Sequence, residues 1–407
     1  MDSAQEELPE EVKLVSEHPQ WKRAWTHAEL EPLYNVSLYP DLAVFRERVR
    51  LPSALGIANQ LRKYHLNNTR TRRGTAVVVV RSGRVLAVTP DDFNPAFRIR
   101  VDSVVTELQR HQDAGHVALP DTIFILNARD VPLCSLGFCL VPLFSPVKEV
   151  RGLGGSMGPD MPPHGKAYNE DLLVPLLAYP HEQLVFYPAE KKIPLGAFAS
   201  DPSEPLGGES SCRAFVSRFA RDSSVGGKVL KMLDARELLE QQQRAGQGGE
   251  AAAATAAPLG GAVSGMASTP PPAVPLSRYR VAVSCDVQSA NPGLASLLHT
   301  NTPVLKGRSN WAEYYYRAMR AVKEALKPSA AARMAMVAEA GQRFAYTYLS
   351  LRSRVLYYEK AITEYNSLFG PGYMQATVAD LPSSRPITFG DILALRMYPS
   401  SWRQGLA

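Results

Sequence analysis

The sequence predicts an α/β protein, in which apolar strands alternate with helices. Apolar residues at helical spacing run from Val101 to His111, and the short apolar run Ile123 to Leu126 that follows them is typical of a buried parallel strand. The pattern recurs where the strand-like residues Val281 to Cys285 lead through a polar loop to the helix-like residues Leu294 to Leu298. In such sheets ligands bind beyond the carboxyl ends of the strands, so functional residues are expected in the loops that follow them.

The chain before these units is expected to contribute helices and a hairpin. The first 40 residues are polar and punctuated by proline, which predicts a peripheral segment, and residues 43–63 have a mostly helical pattern. The strand-like runs Thr75 to Val80 and Arg84 to Thr89 flank Ser82–Gly83. This arrangement predicts a β-hairpin closed by a tight turn.

The second half of the chain combines strand and helix signals with a biased insertion. Residues 241–275 are rich in Ala, Gly and Pro, which predicts a disordered insertion. A long amphipathic helix is predicted over residues 331–370, and a Pro-rich tail follows it. The remaining predictions are a strand-to-turn passage at Lys191 to Pro202, a helix at Ala214 to Phe219 and a strand at Thr302 to Leu305.

Length and charge limit the possible classes of function. The 407 residues suit two compact domains or one large α/β enzyme, and the net charge of +6 is mild. The densest basic run is Arg62, Lys63, Arg70, Arg72 and Arg73. A short run of this kind is more typical of a solvated loop than of a nucleic-acid footprint, so no nucleic-acid partner is predicted. A groove for a diphosphate-sugar also uses a modest positive excess.

No metal site, cofactor or membrane span is predicted. The sequence has no phosphate-binding P-loop, no dinucleotide fingerprint, no nucleophile-elbow motif and no zinc-type pair among its four cysteines. Cys134 and Cys139 have a spacing that permits a disulfide but does not establish one. No run reaches the roughly 20 apolar residues that a spanning helix needs. The first 13 residues lack the apolar core of a signal peptide.

Asp130 is the candidate catalytic base. It follows the predicted strand Ile123 to Leu126 and stands beside Asn127 and Arg129. A carboxylate at the carboxyl end of a strand can reach an active site and accept a proton from an attacking hydroxyl. Local sequence supports equally a loop aspartate that turns the chain before Pro132.

Arg213, Asp201 and Asn291 are the candidate donor-binding residues. Arg213 comes just before the predicted helix Ala214 to Phe219, where a guanidinium and the helix amino end together suit a diphosphate. An exposed helix arginine explains Arg213 equally well. Asp201 closes the strand-to-turn passage, and Asn291 lies in the loop after Val281 to Cys285.

Taken together, these segments resemble the capsule-associated-protein (CAP) type glycosyltransferases, the family of the Rumi-type protein O-glucosyltransferases, the KDEL-motif-containing transferases and the fungal capsule xylosyltransferases. The resemblance covers roughly residues 75 to 369 and rests on segments in the family's order. These are Phe124 to Pro132 (N-x-R/G-D-x-P), Leu140 to Ser145 (P-x-F-S), Lys191 to Pro202 with Ser210 to Arg213 (S-P-x-R), Arg278 to Cys285 (Y-K-Y), Pro303 to Tyr315 (V-L-K…S-x-Y-x-E-F-Y) and Ala338 to Phe369 (the terminal helix).

The resemblance implies a GT-B-like fold of two Rossmann-type lobes with the donor in the cleft between them. Residues 1–40 would be peripheral, 41–165 the acceptor-side lobe, 166–330 the nucleotide-sugar lobe, 331–370 the C-terminal helix and 371–407 a tail. The implied reaction is inverting transfer of glucose or xylose from a UDP-sugar to a hydroxyl of a protein or polysaccharide. Asp130 would be the base, Arg213 would neutralise the diphosphate, and Asp201 would stand where the family has Ser or Asn near the donor.

The sequence departs from the family at the donor side. The arginine of the family's F-R-G motif is Ala199 here, a donor-contacting arginine is replaced by Gly293, and Asp286 replaces a Gly or Arg type. A segment of about fifteen residues, H-Y-V-P-V in the family, is missing within residues 316–323. The losses favour a degenerate member that binds a nucleotide sugar or glycan without turnover, whereas Asp130 favours an active enzyme.

Both hypotheses stay open at this point. A third class, a nucleic-acid or scaffold protein, has only the basic run and the biased insertion in its favour. An incomplete gene model would explain the missing segment and the missing signal peptide together. The family resemblance suggests the lumen of the endoplasmic reticulum or Golgi.

Overall fold

The structure is a computed structural model that describes residues 11–48, 52–62, 68–134, 139–149, 169–178, 182–200, 211–222, 224, 226–234, 273–286, 289–291, 293–307, 309–319 and 330–400. It is a mixed α/β protein. Asp201 and residues 241–272 of the insertion predicted over 241–275 lie outside these ranges, whereas its last three residues, 273–275, begin a short helix.

Thirteen strands and thirteen α-helices are found in the described part of the chain. The strands are β1 (Lys13–Val15), β2 (Thr75–Arg81), β3 (Arg84–Val88), β4 (Thr122–Asn127), β5 (Leu143–Ser145), β6 (Lys148–Glu149), β7 (Leu172–Leu173), β8 (Leu184–Phe186), β9 (Ile193–Ser200), β10 (Leu230–Asp234), β11 (Tyr279–Ser284), β12 (Val304–Lys306) and β13 (Trp311–Ala312). The helices are α1 (His27–Leu33), α2 (Tyr39–Arg46), α3 (Ala54–Gln60), α4 (Thr69–Arg72), α5 (Arg98–Asp113), α6 (Cys212–Arg221), α7 (Gly226–Val229), α8 (Ala273–Ser277), α9 (Gly293–Leu298), α10 (Ala330–Tyr348), α11 (Leu351–Ser367), α12 (Tyr373–Ala379) and α13 (Phe389–Leu393). A π-helical turn, Tyr34–Leu38, joins α1 to α2.

The chain forms two compact units. Unit 1 consists of Met1–Arg23, His181–Ser309 and Ala321–Ser350, and unit 2 consists of Ala24–Pro180, Asn310–Arg320 and Leu351–Ala407. None of the helices in the described ranges is both long and apolar enough to cross a membrane.

Unit 1 is built on a four-stranded parallel sheet in the order β10-β9-β11-β12. Successive residues of a strand point to opposite faces, and Ala197 and Phe198 of β9 enter different apolar clusters. Ala197 packs with Leu276 of α8 and Leu297 of α9, while Phe198 packs with Val216 of α6. Helices therefore cover both faces of the sheet, as in doubly wound α/β proteins.

Unit 2 is built on a five-stranded mixed sheet in the order β3-β2-β4-β5-β7. β2 is antiparallel to both β3 and β4, and β4, β5 and β7 run parallel. The predicted hairpin is confirmed, with Ser82 and Gly83 at positive φ in its turn. The central strand β4 is buried along its whole length, and the ring of its Phe124 stacks on Phe144 of β5 at a centroid distance of 4.2 Å.

Two predictions about the ends of the chain are wrong. The segment predicted to be peripheral contains α1 and the π-helical turn, whose residues Leu30, Leu33, Tyr34 and Leu38 are at most 1% exposed. These four residues have helical spacing, so they form one apolar stripe that the polar average of the segment hides. The C-terminal helix predicted over 331–370 is two helices, α10 and α11, and they belong to different units.

Other elements differ in partner or boundary. β4 is parallel to β5 as predicted but antiparallel to β2. The boundary expected at residue 165 lies near residue 180, and the chain enters unit 2 at Ala24 and returns to it at Asn310 and Leu351. Periodicity describes one element at a time, and it does not reveal which distant segment completes a core.

Asp41 of α2 is the centre of a buried charge cluster in unit 2. Its carboxylate accepts hydrogen bonds from Lys148 Nζ at 2.8 Å and from Arg317 Nη1 at 3.0 Å, and its second oxygen accepts the Leu173 backbone N–H at 3.1 Å. The Asp41 and Lys148 side chains are 2% and 1% exposed. Burial raises the pKa of Asp41, but the two cations outweigh burial and hold it below its usual value. Burial disfavours the charged form of Lys148 too, and therefore lowers the pKa of its ammonium group.

The variant Asp41→Asn is expected to destabilise unit 2 strongly, because it leaves two cations facing a neutral amide in the interior. Breaking a buried ion pair from one side costs about 3–5 kcal/mol. Urea denaturation measures the loss. Glu107→Gln removes the same charge from the surface pair with Arg110, and a loss below about 1 kcal/mol is expected there. Equal losses for the two variants would contradict the role given to Asp41.

Candidate functional site

The carboxyl end of the unit 1 sheet has a topological switch point. From β9 the chain passes through α6 and α7 to β10 on one side, and from the adjacent strand β11 it passes through α9 to β12 on the other. The connections of these two adjacent strands therefore lead to opposite sides of the sheet. In doubly wound sheets ligands bind at the carboxyl ends of the strands where the connections separate in this way.

Arg213 lies at this switch point, in the first turn of α6. Its Nη2 donates to Ser200 Oγ, on the last residue of β9, at 2.8 Å. The side chain is buried, with the whole residue only 1% exposed, so the alternative of an exposed helix arginine is wrong. Ser211 caps the helix by accepting the Ala214 N–H at 3.1 Å. The guanidinium and the positive amino end of α6 thus meet beside the end of β9.

A second buried charge, Asp286, organises the loop after β11. Its side chain is fully buried, and it pairs with Lys306 Nζ at 2.6 Å and with the Ser309 hydroxyl. Asp286 also accepts the Asn291 backbone N–H at 2.8 Å. The Asn291 side chain spans the same loop, donating to Ser284 Oγ at 3.2 Å and accepting the Gly293 N–H at 2.9 Å. Asn291 therefore lies at the predicted edge, where its amide holds the loop in shape.

A disulfide that the sequence did not reveal joins the loops. Cys212, the first residue of α6, is bonded to Cys285, the residue after β11. Gly307, after β12, leaves the space for it: a Cβ at Gly307 would lie 2.1 Å from Cys212 Sγ and 3.6 Å from Cys285 Sγ. The start of α6 and the residues that follow β11 and β12 thus meet around one sulfur bridge.

Two further residues of the segment Lys191 to Pro202 pack within unit 1. Ala199, where the resembled family has an arginine, is a half-buried residue of β9 that packs on the apolar cluster of Ala197. Lys192 precedes β9 and is therefore at the amino end of the strand, away from the switch point. It donates to Asn301 O at 2.5 Å and Thr302 Oγ1 at 2.8 Å, and burial lowers its pKa to about 8. These hydrogen bonds give Lys192 a structural role in unit 1.

Asp130 lies at the carboxyl edge of the unit 2 sheet, three residues after β4. Its Oδ1 pairs with Arg100 Nη2 of α5 at 2.6 Å, and its side chain is 30% exposed. Arg100 is buried and also donates to Ala128 O at 2.9 Å. Within the described ranges Arg100 is the ion-pair partner of Asp130 through Oδ1, and the rest of the carboxylate is partly exposed.

Asn127 holds the backbone on both sides of Asp130. Its Oδ1 accepts the Arg129 N–H at 3.0 Å, and its Nδ2 donates to Val131 O at 2.8 Å and to Ser145 Oγ at 3.1 Å. Asn127 is itself 1% exposed at the end of β4. The side chain therefore fixes the turn that presents the Asp130 carboxylate.

The hydrogen-bond network continues to Asp171 and to the first disulfide. The Ser145 hydroxyl donates to Asp171, whose carboxylate also accepts the N–H groups of Leu133 and Cys134 at 3.1 and 2.8 Å. Burial raises the pKa of Asp171, and these hydrogen bonds oppose the shift. Cys134 is bonded to Cys139, as the spacing permits. The loop after Asp130 is thus fixed by a carboxylate and a covalent bond.

Sequence reasoning placed Asp130 and Asn291 in loops that follow strands and Arg213 at the amino end of a helix, and the structure has them there. It missed Arg100, Ser145 and Asp171, which lie 30, 15 and 41 residues from Asp130 in the chain. Arg100 had one usable signal, a charged residue in the first turn of a helix that packs on the sheet. Asp201 lies outside the described residues. Nowhere in the described ranges does a group of His, Cys, Asp or Glu side chains have the arrangement of a metal site.

Comparisons with known proteins give no family. No protein-family model matches the chain, and no curated protein matches its sequence.

Gly307→Ala is expected to destabilise unit 1, because the new methyl group and Cys212 Sγ would occupy the same space. Overpacking of this kind costs about 1–3 kcal/mol. The melting temperature and the number of titratable thiols measure the effect, and either a lower Tm or newly titratable thiols is expected. Gly341→Ala in α10 is the control, since the new Cβ would lie 3.4 Å from Leu298 Cδ2 of α9, which is an ordinary van der Waals distance. An unchanged Tm and no free thiol in Gly307→Ala would contradict the crowding.

Proposed function

We propose that the chain is an inverting glycosyltransferase that moves glucose or xylose from a UDP-sugar to a hydroxyl of a protein or glycan. The observation that carries the proposal is the switch point of the unit 1 sheet, with a buried arginine at its edge. Support also comes from the ordered motifs shared with the capsule-associated-protein transferases. A GT-B-like fold belongs to the same proposal, and it is supported by the presence of a separate α/β sheet in each unit.

The donor side of the proposal lies in unit 1. A diphosphate at the switch point would meet the amino end of α6 and the guanidinium of Arg213, both of which favour anions. Positive charge placed there stabilises the diphosphate as it leaves, when it takes up the electrons of the broken bond. Lys306 adds a second cation at the same edge, already paired with Asp286. This arrangement supplies fixed positive charge from side chains of unit 1.

The acceptor side of the proposal lies in unit 2. Asp130 Oδ2 takes the proton of the acceptor hydroxyl while Oδ1 stays in the pair with Arg100. The acceptor oxygen forms a bond to the anomeric carbon, the bond from that carbon to the diphosphate oxygen breaks, and UDP leaves with the electron pair. Attack from the side opposite to the leaving group inverts the anomeric carbon. The products are the glycosylated acceptor, UDP and one proton.

A second candidate is a protein that binds a nucleotide sugar or glycan without turnover. The observation in its favour is the buried carboxylate of Asp286 at the edge assigned to the diphosphate. A negative charge there repels phosphate and competes for Lys306. Ala199 and Gly293 supply no charge where the resembled family has arginine. Binding would persist in such a protein, and chemistry would be lost.

Asp130→Asn is expected to abolish turnover while leaving nucleotide binding intact. In the wild type we expect UDP to raise the Tm and UDP-glucose to be hydrolysed slowly, with water as the acceptor. The Asn variant should keep the UDP-induced shift and lose at least about 100-fold in hydrolysis, because a general base contributes roughly that much or more. Asp102→Asn is the control, an exposed carboxylate on α5 that should change neither measurement.

The outcomes separate the candidates. A wild-type protein whose Tm does not respond to millimolar UDP would contradict both. A UDP-induced shift without any hydrolysis in the wild type would favour the second candidate. Hydrolysis that survives in Asp130→Asn would remove Asp130 from the role of base.

A further inference from the structure

Positive charge exceeds negative charge around Asp130. Arg100, Arg129 and Arg70 all interact with Asp130 or with one another, and Asp130 is the one carboxylate among them. The neighbouring arginines of the basic run are differently placed. Arg72 pairs with Asp92 at 2.5 Å, and Arg73 Nε donates to the backbone oxygen of Asp92 at 3.2 Å. The uncompensated charge therefore belongs to Arg129 and Arg70.

The fold makes room for Arg129 beside Asp130. The Arg129 side chain crosses Gly74, the residue before β2: a Cβ there would lie 2.2 Å from Arg129 Cγ and 2.5 Å from Cδ. The Phe97 ring borders the same space at 3.3 Å. The backbone fixes the crossing, because Ala128 N–H donates to Gly74 O at 2.9 Å and Arg129 N–H donates to Asn127. Any side chain at residue 74 would displace Arg129.

The Arg129 guanidinium is half-buried without an anion of its own. Within the described part of the chain, no hydrogen bond or ion pair is made by the guanidinium of Arg129 or of Arg70, and Asp130 is already paired with Arg100. Burial lowers the pKa of Arg129, Arg70 lowers it further, and Asp130 opposes both. Arg70 is exposed, whereas the partial burial of Arg129 beside a like charge costs free energy that a bound anion would recover. Arginine is the side chain best shaped to bind a carboxylate in two parallel hydrogen bonds.

We propose that Arg129 and Arg70 form a subsite for a carboxylate of the acceptor, next to the hydroxyl that Asp130 deprotonates. The acceptor is thereby an acidic molecule, such as a sugar acid or an acidic peptide, and its charge aligns the reacting hydroxyl. That this carboxylate belongs to the acceptor substrate rests on the proposed function, whereas the binding of a carboxylate at this edge does not. A nucleotide phosphate has the same oxyanion chemistry, and the experiment separates the two sources.

Titration calorimetry of the full chain with D-galacturonate and D-galactose tests the subsite, because these probes differ by one carboxylate. We expect galacturonate to bind and galactose to bind at least about fivefold more weakly. Arg129→Met should weaken the binding of galacturonate at least about fivefold. Gly74→Ala should do the same without removing any charge, since it only moves the Arg129 side chain. Arg84→Met is the control, an exposed arginine on β3 that should have no effect.

Several results would overturn the proposal. They are no binding of galacturonate, equal binding of galactose, equal weakening by Arg84→Met, and unchanged binding in either Arg129→Met or Gly74→Ala. Displacement of galacturonate by UDP would assign the subsite to the nucleotide instead. UDP-induced stabilisation of the same variants is measured in parallel. If UDP still raises the Tm while galacturonate fails to bind, the subsite is wrong and the proposed transferase stands. If UDP does not raise the Tm while galacturonate binds, the subsite stands and the proposed transferase is wrong.

Discussion

The buried carboxylate of Asp41 is the interaction on which unit 2 depends. It ties α2 to Lys148 of β6, to the backbone of Leu173 in β7 and to Arg317, which comes from a segment 276 residues farther along the chain. Two short strands of two residues each cannot hold their places by ladder hydrogen bonds alone. Because β7 lies beside β5, the carboxylate also helps to fix Ser145 at the end of β5 and Asp171 just before β7, and both belong to the hydrogen-bond network next to Asp130. The stability of the core and the geometry of the candidate base are therefore coupled.

Both units close the carboxyl edge of a sheet with buried polar groups, but they do so by different means. In unit 1 a disulfide joins the start of α6 to the residue after β11, and Asp286 pairs with Lys306 at the end of β12. In unit 2 an asparagine and a buried carboxylate hold the turn, and a buried arginine holds one oxygen of Asp130. Such networks are costly when half-satisfied and rigid when complete. They place a buried arginine at the edge of the unit 1 sheet and a partly exposed carboxylate at the edge of the unit 2 sheet.

Much of the local structure followed from the sequence, since it depends on neighbours in the chain. The hairpin at Ser82–Gly83, helix α5 and strand β11 were predicted from turn residues and periodicity, and Asp130 was placed correctly at a strand end. The pairings that complete the site were not predictable in this way. Arg100 reaches Asp130 because α5 packs on the sheet, and Cys212 meets Cys285 across 73 residues because α6 packs on the sheet that contains β11. The break between α10 and α11 is hidden for a related reason: apolar spacing continues across Leu349, which is itself buried.

Hydrogen–deuterium exchange with and without UDP tests whether a nucleotide binds at the switch point of the unit 1 sheet, as we propose. We expect slower exchange in peptides that cover residues 212–221 and 279–286, because a diphosphate there would engage the first turn of α6 and stabilise the loop after β11. Peptides of β2 and β4 should exchange at the same rate with and without UDP. Protection that is absent from α6 and the end of β11, or that appears only in unit 2, would rule out a nucleotide site at this switch point.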